Sequence, residues 1–126
     1  MADRPLHRLT RENRLLQPAA FARVFEKAAR SRDKWFTVLS RLNDRQVARL
    51  GLAISKKHCR HATGRNRIKR VVRESFRRHK AQLAGLDIVV MSQPATKDAS
   101  NQALFDSLEK HWERCARRMP REGGQD

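Results

Sequence analysis

Thr63-Gly64-Arg65-Asn66-Arg67-Ile68-Lys69-Arg70-Val71-Val72-Arg73-Glu74-Ser75-Phe76-Arg77-Arg78-His79-Lys80 separates into an apolar half and a cationic half at helical period. At about 100° per residue, Ile68, Val71, Val72, Ser75, Phe76, His79 and Leu83 fall within an arc of about 140°. That stripe needs a core to cover it. Lys69, Lys80, Arg73, Asn66, Arg77, Arg70, Arg67 and Arg78 fill the opposite arc, and Glu74 alone interrupts it. Arg65 projects to the apolar side, but at the helix entrance. The pattern predicts a helix over roughly residues 63–83, ended by Gly85.

Strand patterns lie on both sides of this helix. Leu50, Leu52 and Ile54 alternate with Gly51, Ala53 and Ser55, giving one bulky and one nearly bare face. A bare face suits the close approach of a ligand or backbone, or tight packing by a helix. Leu86 to Met91 is almost continuously apolar, as in a central strand covered on both faces, and Pro94 stops it. Trp35 to Leu42 reads as a further strand, joined through the Asn43-Asp44 turn to residues 50–55 as a hairpin. Upstream, Pro18 suits a first helical turn, and Phe21, Val24, Phe25 and Ala28 mark about three turns of amphipathic helix. Downstream, Leu104, Phe105, Leu108, Trp112 and Cys115 mark a final helix, with Ser100 or Asp98 as N-cap. The order of helix, antiparallel strands, long basic helix, central strand and C-terminal helix predicts an α/β (α+β) two-layer sandwich with helices mainly on one side. Residues 14–118 form one predicted domain. Residues 1–13 are expected to be a flexible basic arm, and 119–126 a disordered tail.

The cationic arc breaks two local rules. Lys69 with Arg73, and Arg73 with Arg77, place like charges at i,i+4, which costs a few tenths of a kcal/mol per pair, roughly. Arg65 and Arg67 lie in the first turn, where the helix dipole disfavours cations. A solvated face normally mixes signs, so phosphate binding explains the pattern better. Arginine offers a planar fork for bidentate phosphate contacts, and Asn66 both donates and accepts.

The whole-chain composition agrees. The 126 residues carry 29 Lys plus Arg against 13 Asp plus Glu, a net charge of +16, which points to a polyanionic partner. Aromatics are 6% with no tyrosine, so no aromatic-caged small-molecule site is expected. No apolar run approaches the length of a membrane span, and Met1 to Arg14 has no apolar segment of a secretory signal. Two cysteines, Cys59 and Cys115, suit a reducing cytoplasm.

Groupings suggestive of protein catalysis are incomplete. His58, Cys59 and His61 resemble metal ligands, but structural zinc needs four, and only a remote pairing with His111 and Cys115 would supply them. Asp87 and Glu74 have no acidic cluster around them, and the five glycines make no phosphate loop. No protein catalytic residue and no protein metal site is expected. A DNA-binding helix would want a helix-turn-helix or dimer seam. A structural or ribosomal-type RNA-binding protein remains the alternative.

Ala62-Thr63-Gly64-Arg65-Asn66-Arg67-Ile68-Lys69-Arg70-Val71-Val72-Arg73 resembles the signature of the bacterial ribonuclease P protein subunit. Arg14-Leu15-Leu16 before the first helix, Leu50-Gly51-Leu52-Ala53-Ile54-Ser55-Lys56-Lys57 and Asp87-Ile88-Val89-Val90 agree in order and spacing, so the resemblance covers roughly residues 10–117. Cys59 departs from it, where an aliphatic residue is usual. The resemblance implies a subunit that joins a catalytic RNA and helps it remove the 5′ leader from precursor tRNA, with Mg²⁺ held mainly by the RNA. It implies RNA contacts at Arg65, Asn66, Arg67, Lys69, Arg70, Arg73, Lys56 and Lys57, and a leader-binding cleft at Phe21 and Phe25. By spacing alone, Phe21 and Phe25 share one helix face and suit either ordinary core or a base-stacking platform.

Overall fold

The computed structural model describes Asn13 and residues 18–118. The predicted arm (Asn13 apart), the predicted tail and Arg14-Leu15-Leu16 lie outside the described residues. Helix α1 (Pro18–Glu26) leads into strands β1 (Ala29–Arg32), β2 (Phe36–Leu42) and β3 (Arg49–Ala53). Helix α2 (Ala62–His79), strand β4 (Leu86–Ser92), a 3-10 turn (Pro94–Asp98) and helix α3 (Asn101–Arg118) follow.

The sandwich is as predicted, but its strand order is not. The sheet runs β1-β2-β4-β3. The hairpin expected between β2 and β3 does not form, because β4 lies between them, antiparallel to β2 and parallel to β3. The cause is the composition of β4. Leu86 to Val90 are all buried, so this strand needs neighbours on both edges as well as cover on both faces. Helix α2 is the crossover that makes the parallel β3–β4 pair possible.

Strand β1, sequence Ala-Arg-Ser-Arg, carries no apolar alternation and was not predicted. It is an edge strand held by antiparallel pairing with β2, of which only Ser31 is buried. Helix α1 spans nine residues, so Ala28 falls beyond it, and α2 stops at His79, before Leu83. Ser100 is the α3 cap: its Oγ accepts from the Ala103 amide at 3.1 Å, whereas Asp98 closes the 3-10 turn.

One face of the sheet carries the main core. Phe36 and Val38 of β2, Leu50 of β3 and Leu86, Ile88 and Val90 of β4 meet Ile68, Val71, Val72 and Phe76 of α2 and Leu104, Leu108 and Trp112 of α3. Trp112 is fully buried, edge-on to Phe76 with centroids 5.9 Å apart, and its indole donates to Ser75 Oγ at 2.8 Å. Ser75 thus belongs to the apolar stripe by satisfying a buried donor. His79, on the same side, bonds the Ser75 carbonyl at 2.8 Å.

The other face is arranged in rows set by register. Arg41, Asp87 and Arg49 form the first, Arg30, Leu39, Val89 and Gly51 the second, and Arg32, Thr37, Met91 and Ala53 the third. Helix α1 lies on this face, where Val24 packs with Leu39 and Val89 and the Arg41 guanidinium donates to the Arg23 carbonyl.

Candidate nucleic-acid interface

The buried stripe of α2 fixes the outward direction of everything opposite it. Asn66, Arg70 and Arg73 are exposed and Lys69 half-buried, and none has a hydrogen-bond or ion-pair partner among the described residues. Asn66, Arg70, Arg73, Glu74 and Arg77 line a shallow open groove of about 390 Å³. His61 caps the helix without a side-chain hydrogen bond, and the first turn holds no acid. The positive end of the dipole therefore adds to the field of the arginines.

Glu74 divides the ridge. Its carboxylate accepts from Arg77 and, at 2.9 Å, from Arg78. The hydrogen bond from Arg77 chiefly holds its pKa below the usual carboxylate value. Two cations are thus partly neutralised in the last turns, while the turns before Glu74 keep their charge.

Arg65 and Arg67 occupy different positions from the other four. Arg65 Nη1 donates to the carbonyls of Cys59 at 3.0 Å and Arg60 at 2.7 Å, which pins the connector onto the helix start. Arg67 donates to Asn101 Oδ1 at 2.7 Å and the Lys97 carbonyl at 3.2 Å, fastening α2 to the entrance of α3. A guanidinium has five N–H donors, so both retain free ones. Their contacts also brace the ridge, a role that charge patterning alone does not reveal.

Lys56 and Lys57 are exposed on a connector bent by local bonds. The Lys57 amide donates to Ser55 Oγ, and the Cys59 amide to the Ser55 carbonyl, both at 3.0 Å. Ser92 Oγ, at the end of β4, accepts from the Ser55 amide at 3.0 Å. Cys59 turns into the core, and a Cβ on Gly64 would lie 2.7 Å from its sulfur. The poor helix former at position 64 is the space that Cys59 uses. His58 lies 3.4 Å from Ser92 Oγ, and among the described residues no group of three His, Cys, Asp or Glu is placed to hold a metal.

The aromatic pair of α1 divides. Phe21 lies over the bare strand face, where a Cβ on Gly51 would come within 2.6 Å of its ring. Phe25 is 49% exposed. Tight packing and an open aromatic thus coexist on one helix. Arg30 and Arg32, on the unpredicted strand, join the same face with no partner for either side chain among the described residues. Arg41 was likewise missed; the alternation of its strand was its only signal.

A polar cluster anchors α3 to the β1 edge. Ser31 Oγ accepts from Arg114 at 2.9 Å and lies 2.6 Å from His111 Nδ1, to which its own proton is free to go. The remaining ring proton then belongs on Nε2, 3.2 Å from Asp33 Oδ2 but misaligned for a hydrogen bond. Burial pushes the His111 pKa down, partly opposed by Asp33. Burial also pushes Asp33 up, but the Ser107 hydroxyl and the Phe36 and Trp35 amides bring it below its usual value.

A sheet with a cationic crossover helix on one face and a partly open aromatic-lined surface on the other defines an α+β domain built to grip a polyanion. A family model described as Ribonuclease P matches residues 9–116. The chain belongs to the ribonuclease P protein family. It is 51% identical over 102 residues to the ribonuclease P protein component of Methylococcus capsulatus, covering 81% of this chain and 80% of that one. It is 45% identical over 107 residues to the component of Vibrio cholerae, covering 85% and 91%. The RNase P protein of Staphylococcus aureus superposes with a TM-score of 0.75 at 33% identity, covering 82% and 94%. That of Thermotoga maritima gives 0.68 at 31%, covering 75% and 89%. As a member, the chain works in tRNA processing with an RNA partner, within a holoenzyme that is an endoribonuclease. Among the described residues no helix is long and apolar enough to cross a membrane.

Proposed function

We propose that this chain grips the catalytic RNA of ribonuclease P through the α2 ridge and holds the 5′ leader of precursor tRNA on the α1 face of the sheet. One observation carries the proposal: Asn66, Lys69, Arg70 and Arg73 stand without partners among the described residues, above a stripe that is committed to the core. Arg65, Arg67, Lys56 and Lys57 complete the RNA contacts at the start of the helix. Phe25 offers an open stacking face and Phe21 the wall beside it, and bases stacked on aromatics are held without a demand on sequence.

The donor set of the ridge, four arginines, a lysine and one amide, does not fit a protein-held cation. Mg²⁺ and the hydrolytic chemistry are assigned to the RNA, with Asn66 able to meet a metal-bound water. The carboxylate on the ridge, Glu74, is already engaged by Arg77 and Arg78, and Asp87, on the opposite face of the sheet, by Arg49. The cytoplasm, where both free thiols stay reduced, is the compartment this implies.

The experiment adds the chain to precursor tRNA at low Mg²⁺ with and without the catalytic RNA. Cleavage that needs both components supports the proposal, and cleavage by the protein alone overturns it. Arg70→Ala with Arg73→Ala should weaken binding to the catalytic RNA and flatten its salt dependence by about 2 in log–log slope. An unchanged slope would remove α2 from the interface.

A further inference from the structure

The third row of the α1 face runs straight across the sheet: Ala53 of β3, Met91 of β4, Thr37 of β2 and Arg32 of β1 are successive register partners. The row beneath α1 is filled, with Phe21 over Gly51 and Val24 on Leu39 and Val89. The third row is more open. Ala53 and Met91 are half-buried, and Thr37 is covered by the Gln93 amide that donates to its hydroxyl. Just past its β3 end come Lys56 and Lys57; at its β1 end stands Arg32, with Arg30 two residues away on the same face. Three strand spacings make this floor about 14 Å long, room for a few nucleotides of an extended single strand.

Residues i and i+2 of a strand are about 6.8 Å apart on one face, comparable to one step of an extended polynucleotide backbone. Arg30 and Arg32 are both exposed and have neither a carboxylate nor a carbonyl partner among the described residues. Like charges placed side by side on an edge strand repel unless an anion lies between them or along them.

We infer that Arg30 and Arg32 form a two-phosphate clamp at the outer end of this floor, extending the held leader across β2 and onto the edge strand. The inference rests on the assignment of the α1 face to the leader. Thr37, Gln93 and Met91 form a neutral middle, so the strand is held at its two ends by charge and between them by contact. Lys56 and Lys57 take the phosphates at one end and the β1 arginines those at the other.

The test uses the reconstituted holoenzyme and precursors that differ only in leader length. Arg30→Ala with Arg32→Ala should weaken binding of the long-leader precursor by about three- to tenfold. A precursor trimmed to a leader stub should bind as before. The log–log salt slope for the long leader should fall by about 1.4, the value for two single-strand phosphates. Lys110→Ala with Arg117→Ala removes the same charge from the exposed side of α3 and should leave the leader-length dependence intact. Equal loss at every leader length, or no loss, overturns the clamp. So does self-association of the double variant with binding unchanged, the result expected if the arginines only guard the sheet edge. A photo-crosslinker placed at Met91→Cys and, separately, at Arg32→Cys distinguishes the two levels of the claim; Cys59 and Cys115 are buried and stay unlabelled. Crosslinks to the leader from both positions support the clamp. Crosslinks from position 91 alone overturn the clamp and keep the cleft, and crosslinks from neither overturn the cleft.

Discussion

The two faces of the sheet are held by different forces. On the α2/α3 face, aromatic and aliphatic side chains from both helices and three strands close into one cluster around Trp112, Phe76 and Ile68. On the α1 face the buried apolar cluster among the described residues is Val24, Leu39 and Val89, with Phe21, Ala28, Ala53 and Met91 partly buried against it, and polar bonds join it. Asp87 accepts from Arg49 twice at 2.7 Å and from Asn43 at 2.9 Å, and Arg41 holds the α1 carbonyl of Arg23. The thick face anchors the cationic ridge rigidly. The thin face leaves a helix on a surface that still has open floor beside it.

The largest test of this contrast is a pair of truncations. Trp112→Ala should cost about 3–5 kcal/mol in denaturant unfolding, because it empties a packed site and strands Ser75. Phe21→Ala should cost only about 1–2 kcal/mol, since its ring is half-buried. Equal costs would mean that the faces do not differ as described.

Next in size is the polar support of the thin face. Arg49→Ala leaves a buried carboxylate without its bidentate partner and should cost about 3 kcal/mol. Donating to the Asp87 carboxylate holds the Arg49 pKa above its usual value, consistent with a committed pair. Arg49→Met with Asp87→Leu should recover most of the loss; no recovery would show that the pair does more than satisfy itself.

A smaller effect belongs to the helix entrance. Gly64→Ala should lower stability by about 1–2 kcal/mol despite alanine's better helix propensity, because its methyl meets the Cys59 sulfur. Cys59→Ala in the same chain should restore it, measured by thermal unfolding. Gly64→Ala that stabilises the protein by itself would contradict the contact.

The smallest effect is the pH dependence of the polar cluster between α3 and the β1 edge. His111 is favoured neutral in the folded state, so the unfolded state binds more protons. Stability from this group is present above its unfolded pKa of about 6.5 and is lost as pH falls below it. Asp33, shifted below its usual value, contributes above about pH 4 and loses that contribution only in stronger acid. His111→Gln should flatten the decline between about pH 6.5 and 5 in unfolding titrations. An unchanged profile would clear His111 of the effect.

Several elements were legible because their signals are local. The α2 stripe, the apolar run of β4 and the amphipathic α3 follow from periodicity, since each needs burial that only one orientation supplies. Strand β1 was illegible because pairing with β2 makes it a strand, and Ala-Arg-Ser-Arg has no side-chain pattern of its own. The hairpin between β2 and β3 was misjudged because short separation favours direct pairing, while the need of β4 for two neighbours outweighs it. At the interface, charge patterning identified the cations of α2 but not their partners.

The sequence by itself determined that a cationic helix face would stand outward, because Ile68, Val71, Val72 and Phe76 leave it no other direction. It also determined the polyanionic character of the partner, since a charge of +16 is a sum that folding does not change. Only the tertiary structure decided which cations remain free and which brace the fold. Only it separated Phe21 from Phe25 and brought Arg32, Thr37, Met91 and Ala53 into one row. Those outcomes depend on strand order and long-range contact, and residues far apart in the chain carry no local sign of which neighbour they will meet.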